Sequence, residues 1–190
     1  YVPIDISEEA NRMLEFKLKE RLPQLNIEPK TGDYFQVLKK LGKKKTPNLL
    51  LFLGGNIGNY PKDEAIELLN LLNLNMNRKD KLLVGMDLKK NPILINNAYF
   101  DQTGVTKRFN MNLLVRINRE LGADFKIDDY DFYSHYDPEN GTVKSYIVSL
   151  RAQTVKLESV DKTINFDYNE LIWTELSKKY SFQEIETLAN

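Results

Sequence analysis

Leu49-Leu50-Leu51-Phe52-Leu53-Gly54-Gly55-Asn56-Ile57-Gly58-Asn59-Tyr60 is the stretch on which the fold turns. Its first five residues are uniformly apolar, the pattern of a strand buried on both faces in a parallel sheet. Gly54-Gly55 stops the run. Pro61 then suits the first turn of a helix whose apolar positions follow at Ala65, Leu68, Leu69 and Leu72. A strand, a glycine-rich loop and a helix in that order predict a βα unit whose loop lies at the carboxyl end of the strand, where open α/β sheets bind ligands. The glycines let a ligand approach backbone, and Asn56 and Asn59 supply amide donors and acceptors.

The same alternation extends in both directions. Tyr1 to Ser7 reads as a short strand ending in Asp5. Ser7, Glu8 and Glu9 suit the start of a helix carrying Leu14, Leu18 and Leu22 on one face and ending at Pro23. Leu25-Asn26-Ile27 reads as a second strand, and Thr31-Gly32-Asp33-Tyr34 as a turn into a helix over Phe35 to Leu41. Lys43-Lys44-Lys45 reads as a solvated loop, and Lys81 to Leu88 as another buried strand, ending at Asp87. This order predicts a doubly wound α/β arrangement with a parallel sheet. Beyond it the pattern changes. Asn91 to Asn97 and Val105 to Leu121 read as helices, then Tyr130 to Tyr136, Thr142 to Leu150, Gln153 to Val160 and Thr163 to Phe166 as strands. Asn140-Gly141 marks a hairpin. Helical text returns at Tyr168-Asn169-Glu170 and at Phe182 to Leu188.

Composition narrows the chemistry. The 27 basic and 27 acidic residues cancel, which gives no electrostatic reason to expect nucleic acid or a membrane surface as partner. With no cysteine and His135 as the only histidine, thiolate sites, a cysteine nucleophile and a multi-histidine zinc site are excluded. A lone histidine in a strand reads as structural. No apolar run reaches the length of a spanning helix and no signal peptide is evident. The chain does not begin with Met and opens directly on a strand, so it reads as a piece of something longer, from a cytoplasmic source.

Six blocks carry a resemblance. They are Phe52 to Asn59, Leu83 to Lys90, Ala98-Tyr99-Phe100-Asp101, Gly104 to Leu114, Asn118 to Phe125, and Thr174-Glu175-Leu176-Ser177-Lys178-Lys179-Tyr180. In this order they resemble the histidine-specific Nα-methyltransferases of ergothioneine biosynthesis, which use S-adenosylmethionine (SAM). The resemblance covers nearly the whole chain. It implies an α/β fold: a partial Rossmann-like methyltransferase core over 1–89, an inserted α+β substrate-binding lobe over 90–179, and a return helix over 180–190.

The resemblance also implies roles. Asp5 corresponds to the carboxylate that takes the ribose hydroxyls of SAM, and Asp33 with Tyr34 to the pair that meets the adenine. Gly54, through its carbonyl, and Asn59, through its amide, would hold the amino and carboxylate groups of a histidine substrate. Tyr99 would reach the carboxylate, and Thr106 is a further substrate-side position. Glu175 and Ser177, two apart in extended backbone, would satisfy the two ring nitrogens. Read without the resemblance, the same residues have plainer roles. Asp5 and Thr106 become helix caps, Asp33 part of a turn, Tyr99 a helix-end core aromatic, and Glu175 with Ser177 a solvent-facing pair at a helix entry.

The implied reaction is transfer of three methyl groups to the α-amino nitrogen. It works by alignment of a neutral amine, with no residue in a strong acid or base role and no metal. Some positions depart from the family. Ser145 stands where a methionine usually faces the substrate, and Gly55-Asn56 replaces the usual Ser-Thr. The glycine-rich cofactor loop is expected before Tyr1 and the last core strands after Asn190. The isolated piece is therefore expected to be inactive and to self-associate through open sheet edges. A SAM methyltransferase for another amino acid or small amine remains an alternative, as does a non-catalytic binding protein.

Overall fold

The computed structural model describes residues 1–41 and 46–189, so the predicted solvated loop at Lys43-Lys44-Lys45 lies outside the described residues. The architecture is mixed α/β, with helices and several separate sheets. The chain divides into two compact units. One comprises Tyr1–Phe52 with Lys62–Val84, and the other Leu53–Pro61 with Gly85–Asn190.

The first unit holds β1 (Ile4–Asp5), α1 (Glu8–Arg21), β2 (Lys30–Thr31), α2 (Tyr34–Leu41), β3 (Leu49–Phe52), α3 (Lys62–Asn75) and β4 (Lys81–Val84). Ser7 caps α1 by accepting from the Ala10 amide at 3.1 Å, and Glu8 and Glu9 sit at its positive end. Ala65, Leu68 and Leu72 are buried along one stripe of α3.

Three expectations change here. The strand placed at Leu25 to Ile27 forms instead at Lys30–Thr31. Asn26 and Glu28 only flank Tyr1, accepting from its N-terminus at 2.7 Å and donating to its carbonyl at 2.9 Å. The single parallel sheet becomes two parallel ladders, β1 with β2 and β3 with β4. Nor are the two leucine-rich strands buried on both faces. Leu49 is 62% exposed and Leu51 49%, because each strand pairs only with the other and one face is uncovered among the described residues.

The second unit holds α4 (Pro92–Tyr99), α5 (Val105–Leu121), β5 (Tyr130–Asp137), β6 (Thr142–Ser149), β7 (Gln153–Leu157), β8 (Lys162–Phe166), β9 (Leu171–Lys178) and α6 (Phe182–Ala189). β6 is the centre of an antiparallel sheet ordered β5-β6-β9, and β7 pairs with β8 as a separate hairpin. Met111 and Leu114 of α5 pack with Phe125, Tyr130, Phe132, Ile147, Val155 and Phe166. At about 1.5–3 kcal/mol for each large buried apolar side chain, this cluster is the main force holding α5 on the sheet. The predicted hairpin forms, with Gly141 at φ 73°.

Two readings fail in this unit. The strand from Gln153 stops at Leu157 and gives way to a 3-10 turn over Glu158–Val160. The helical text at Tyr168-Asn169-Glu170 is a reversal, with Asn169 at φ 65°, that launches β9. The leucine, isoleucine and tryptophan that follow it satisfy β6 better than they would a helix.

Candidate functional site

The glycine-rich loop belongs to the second unit. Gly54 and Gly55 take φ of 82° and 73°, the left-handed region where a side chain is strained, so the loop needs glycine there whatever its ligand. The 3-10 turn Asn56–Asn59 follows and packs against β9. Its contact is backbone on backbone, for a Cβ on Gly58 would stand 2.6 Å from the carbonyl oxygen of Lys178. The Tyr180 hydroxyl adds a long hydrogen bond of 3.3 Å to the Ile57 carbonyl.

β9 presents Glu175 and Ser177 in extended backbone, not at a helix entry. They lie opposite Ser145 and Val143 of β6. Between Ser145 and Tyr146 the register slips by one residue, leaving Thr174 without an opposite number. The Thr174 hydroxyl donates to Asn110 Oδ1 at 3.0 Å, and Asn110 Nδ2 donates to the Thr106 carbonyl at 3.1 Å. Ser145 is 1% exposed, flanked in register by Ser134 on one side and Glu175 on the other. Ser134 Oγ is also buried, with no hydrogen-bond partner among the described residues. This row of two hydroxyls and a carboxylate crosses the sheet on the face that receives α5.

Immediately beyond β9, Lys179 organises a second polar group. It is 5% exposed, and its ammonium donates to Tyr99 Oη at 2.8 Å and Ser177 Oγ at 2.9 Å, with Asp87 Oδ2 3.0 Å away. The Lys179 ammonium also lies 5.1 Å from the centroid of the Tyr99 ring. Burial pulls the Lys179 pKa down, but the Tyr99 hydrogen bond and the Asp87 carboxylate outweigh it and hold the group above its ordinary value, so it stays charged. Burial likewise pushes Asp87 up, and Lys90 and Lys179 overcome it to keep the carboxyl below its usual range. Asp87 is itself fixed by its backbone, which accepts from the Tyr180 amide at 2.9 Å.

Of the substrate-side residues drawn from the sequence, Tyr99 and Ser177 are thus joined through Lys179, and Ser145 and Glu175 are register neighbours. Thr106 reaches β9 through Asn110 and Thr174. It does not cap α5: Asp101 does, accepting from the Val105 and Thr106 amides at 2.8 Å each. Gly54 and Asn59 stand in the loop and turn with no hydrogen bond to the others among the described residues. His135 is exposed on β5 opposite Lys144, away from the polar row.

In the first unit, Asp5 ends β1 and Asp33 follows β2. They are tied by the Gly32 amide donating to the Asp5 carbonyl at 2.9 Å. Asp5 Oδ1 accepts from the Ser7 amide at 2.8 Å and Asp33 Oδ1 from the Gln36 amide at 3.2 Å. Tyr34 opens α2 and sits edge-on to Phe52, ring centroids 6.1 Å apart.

Lys179, Asp87, Asn110, Thr174 and Ser134 were not singled out as site residues from sequence. The signal for Lys179 is parity: 175, 177 and 179 alternate along extended chain and face the same way.

Within this mixed α/β chain, the second unit gathers neighbouring hydroxyls, a carboxylate and a buried ammonium. The chain belongs to the family described as histidine-specific methyltransferase, SAM-dependent, whose model matches residues 1–190. It is 30% identical over 183 residues to the histidine N-alpha-methyltransferase of Mycolicibacterium smegmatis, covering 95% of this chain and 56% of that protein. It is 30% identical over 136 residues to ergothioneine biosynthesis protein 1 of Schizosaccharomyces pombe, covering 71% of this chain and 17% of that protein. It is also 31% identical over 166 residues to the L-tryptophan methyltransferase trpM of Psilocybe serbica, covering 83% of this chain and 45% of that protein. The chain therefore spans little more than half of the M. smegmatis relative. Among the described residues no helix is long and apolar enough to cross a membrane.

Proposed function

We propose that this chain is part of a SAM-dependent N-methyltransferase that trimethylates the α-amino group of histidine, a step of ergothioneine biosynthesis in the cytoplasm. The observation that carries the reading is the joining of Tyr99 and Ser177 through Lys179, with Glu175 two residues from Ser177 on the same strand. A carboxylate and a hydroxyl at that spacing suit the two nitrogens of an imidazole, and a tyrosine hydroxyl beside a buried cation suits an α-carboxylate.

The first unit's acceptors suit the adenosyl part of SAM. Each of Asp5 and Asp33 commits one oxygen to a nearby amide, and its second accepts no protein hydrogen bond among the described residues. Asp5 would take the ribose hydroxyls, Asp33 the exocyclic amine, and the Tyr34 ring would lie alongside the base. When bound, SAM supplies the electrophilic methyl group. The chain's own task is positioning: the Gly54 carbonyl and the Asn59 amide orient the amine lone pair, with Thr106 nearby. Tyr99 holds the carboxylate, Glu175 and Ser177 hold the ring, and Ser145 lies beside it. Alignment of a neutral amine accounts for catalysis without a strong general base.

In this reading residues 1–89 are part of a Rossmann-like core, 90–179 a substrate-binding lobe and 180–190 a return to the core. Histidine is the partner, and neither nucleic acid nor a membrane enters. The isolated piece is inactive, with self-association through its open strand edges.

Calorimetric titration of the full-length protein with histidine, in the presence of the demethylated cofactor product, tests the reading. Micromolar-range binding that Glu175→Ala abolishes supports it. Binding of the cofactor product without histidine moves the substrate to another amine, and binding of neither removes the enzyme reading.

A further inference from the structure

The geometry assigns Lys179 as a positioning residue that makes donors of Tyr99 and Ser177 and brings a positive charge to the carboxylate end of the substrate subsite. The inference rests on the proposed amino acid substrate and names how that subsite tells its ligand's two ends apart.

An ammonium has three N–H donors and no acceptor. Here all three are accounted for by Tyr99 Oη at 2.8 Å, Ser177 Oγ at 2.9 Å and Asp87 Oδ2 at 3.0 Å. Each hydroxyl therefore accepts from Lys179, and its own proton must go elsewhere. No acceptor for either proton is recorded among the described residues, so both are left to turn toward a ligand. Each hydroxyl keeps a further lone pair, but its proton is the group still to be satisfied, which biases it toward donating to a ligand. Glu175, two residues before Ser177 and on the same face, is an acceptor when ionised. One donor and one acceptor side by side match a neutral imidazole, which carries one bare nitrogen and one N–H. The Tyr99 hydroxyl, polarised by a buried cation, matches a carboxylate oxygen.

The device depends on Lys179 staying protonated in a nearly dry position, and the Tyr99 hydrogen bond together with the Asp87 carboxylate keeps it so. The Asp87 main chain accepts from the Tyr180 amide, and its second carboxylate oxygen pairs with Lys90 at 2.8 Å, which favours the orientation that keeps the counter-charge beside Lys179. The ion pair thus serves the two hydroxyls and does not itself need to touch substrate. Sequence parity explains why one strand can do this: Glu175, Ser177 and Lys179 share a face, so reader, donor and donor-setter lie in a line.

The test uses the full-length protein with the demethylated cofactor product present, titrated with histidine and with histamine, which lacks the carboxylate. Lys179→Met should weaken histidine about tenfold or more while narrowing its margin over histamine, and leave affinity for the cofactor product within about twofold. Lys179→Arg should recover part of the loss. Histidine affinity and discrimination unchanged in Lys179→Met would overturn the inference and leave the proposed function standing. A wild-type protein that binds the cofactor product but no amino acid would overturn both. If Lys179→Met does not fold, Asp87→Asn gives a second reading. Without its counter-charge Lys179 loses its proton at lower pH, so the alkaline loss of histidine binding should begin earlier than in wild type. Superimposable pH profiles would overturn the inference by that route.

Discussion

Tyr99, the last residue of α4, and Lys179, just past β9, meet at 2.8 Å although 80 positions separate them. The bond and the ring contact at 5.1 Å fasten a helix end to the end of the sheet, beside the small cluster of Ile95, Tyr136 and Val143.

Tyr99→Phe keeps the ring and removes the oxygen. A buried ammonium then lacks one acceptor, and unfolding free energy should fall by about 1–2 kcal/mol. In steady-state kinetics of the full-length protein, KM for histidine should rise more than kcat falls. Equal loss in kcat and kcat/KM would point away from a ground-state carboxylate contact.

Acid stability should depend on Glu184. Burial works to raise its pKa, but Lys178 and the Ser181 amide hydrogen-bond it, and with the charges of Lys178 and Lys89 they bring it down to about 2. A carboxyl depressed in the folded state stabilises above its unfolded pKa and loses that contribution as pH falls through its folded one. The window is therefore from about 4.5 down to about 2. Melting temperatures of wild type and Glu184→Gln across that range should differ most at its upper end and converge at its lower. A constant offset would show that the carboxylate charge is not the cause.

Asn118 of α5 clamps Phe125, donating to its carbonyl at 2.8 Å and accepting from its amide at 2.9 Å. Asn118→Ala leaves two backbone groups next to a buried ring without partners, at about 1–3 kcal/mol. Urea titration should register the loss, while histidine affinity of the folded protein stays as in wild type, since this clamp lies in the apolar half of the unit.

Gly141→Ala should do the opposite and couple stability to binding. At φ 73° a Cβ is strained, and it would sit 2.6 Å from the Lys179 carbonyl, whose amide already donates to Gly141 at 2.7 Å. A loss of about 1–3 kcal/mol is expected together with weaker histidine binding, because the displaced backbone belongs to Lys179. Calorimetry with histidine and with the cofactor product, run side by side, separates the two effects.

The parts of this protein that could be read from its residues are those governed by local rules. Gly54-Gly55 announces a loop because left-handed backbone admits little else, and Asn140-Gly141 announces a hairpin for a similar reason. Helical text over Val105 to Leu121 announces α5, but not that Met111 and Leu114 would be the residues it buries while Phe109 stays exposed. The start of β9 was illegible because the reversal before it, Tyr168-Asn169-Glu170, has helix-compatible text and its pairing partner lies more than twenty residues back. Lys179 was hidden differently. A lysine in a Lys-Lys pair reads as solvated, and only the fold reveals that Lys178 turns to the Asn140 carbonyl and Glu184 while its neighbour turns inward.

Gly58 leaves no room between the 56–59 turn and the backbone of Lys178. Two backbones in contact set a gauge length that side chains cannot alter. In the proposed reading, the distance from the residues that hold an amino acid's main-chain atoms to those that read its side chain is then a constant of the scaffold. Relatives that accept different amino acids would have to change preference by exchanging what stands on the sheet, at positions such as Ser145, and not by sliding the turn. Ser145 is accordingly the place at which a designer should begin.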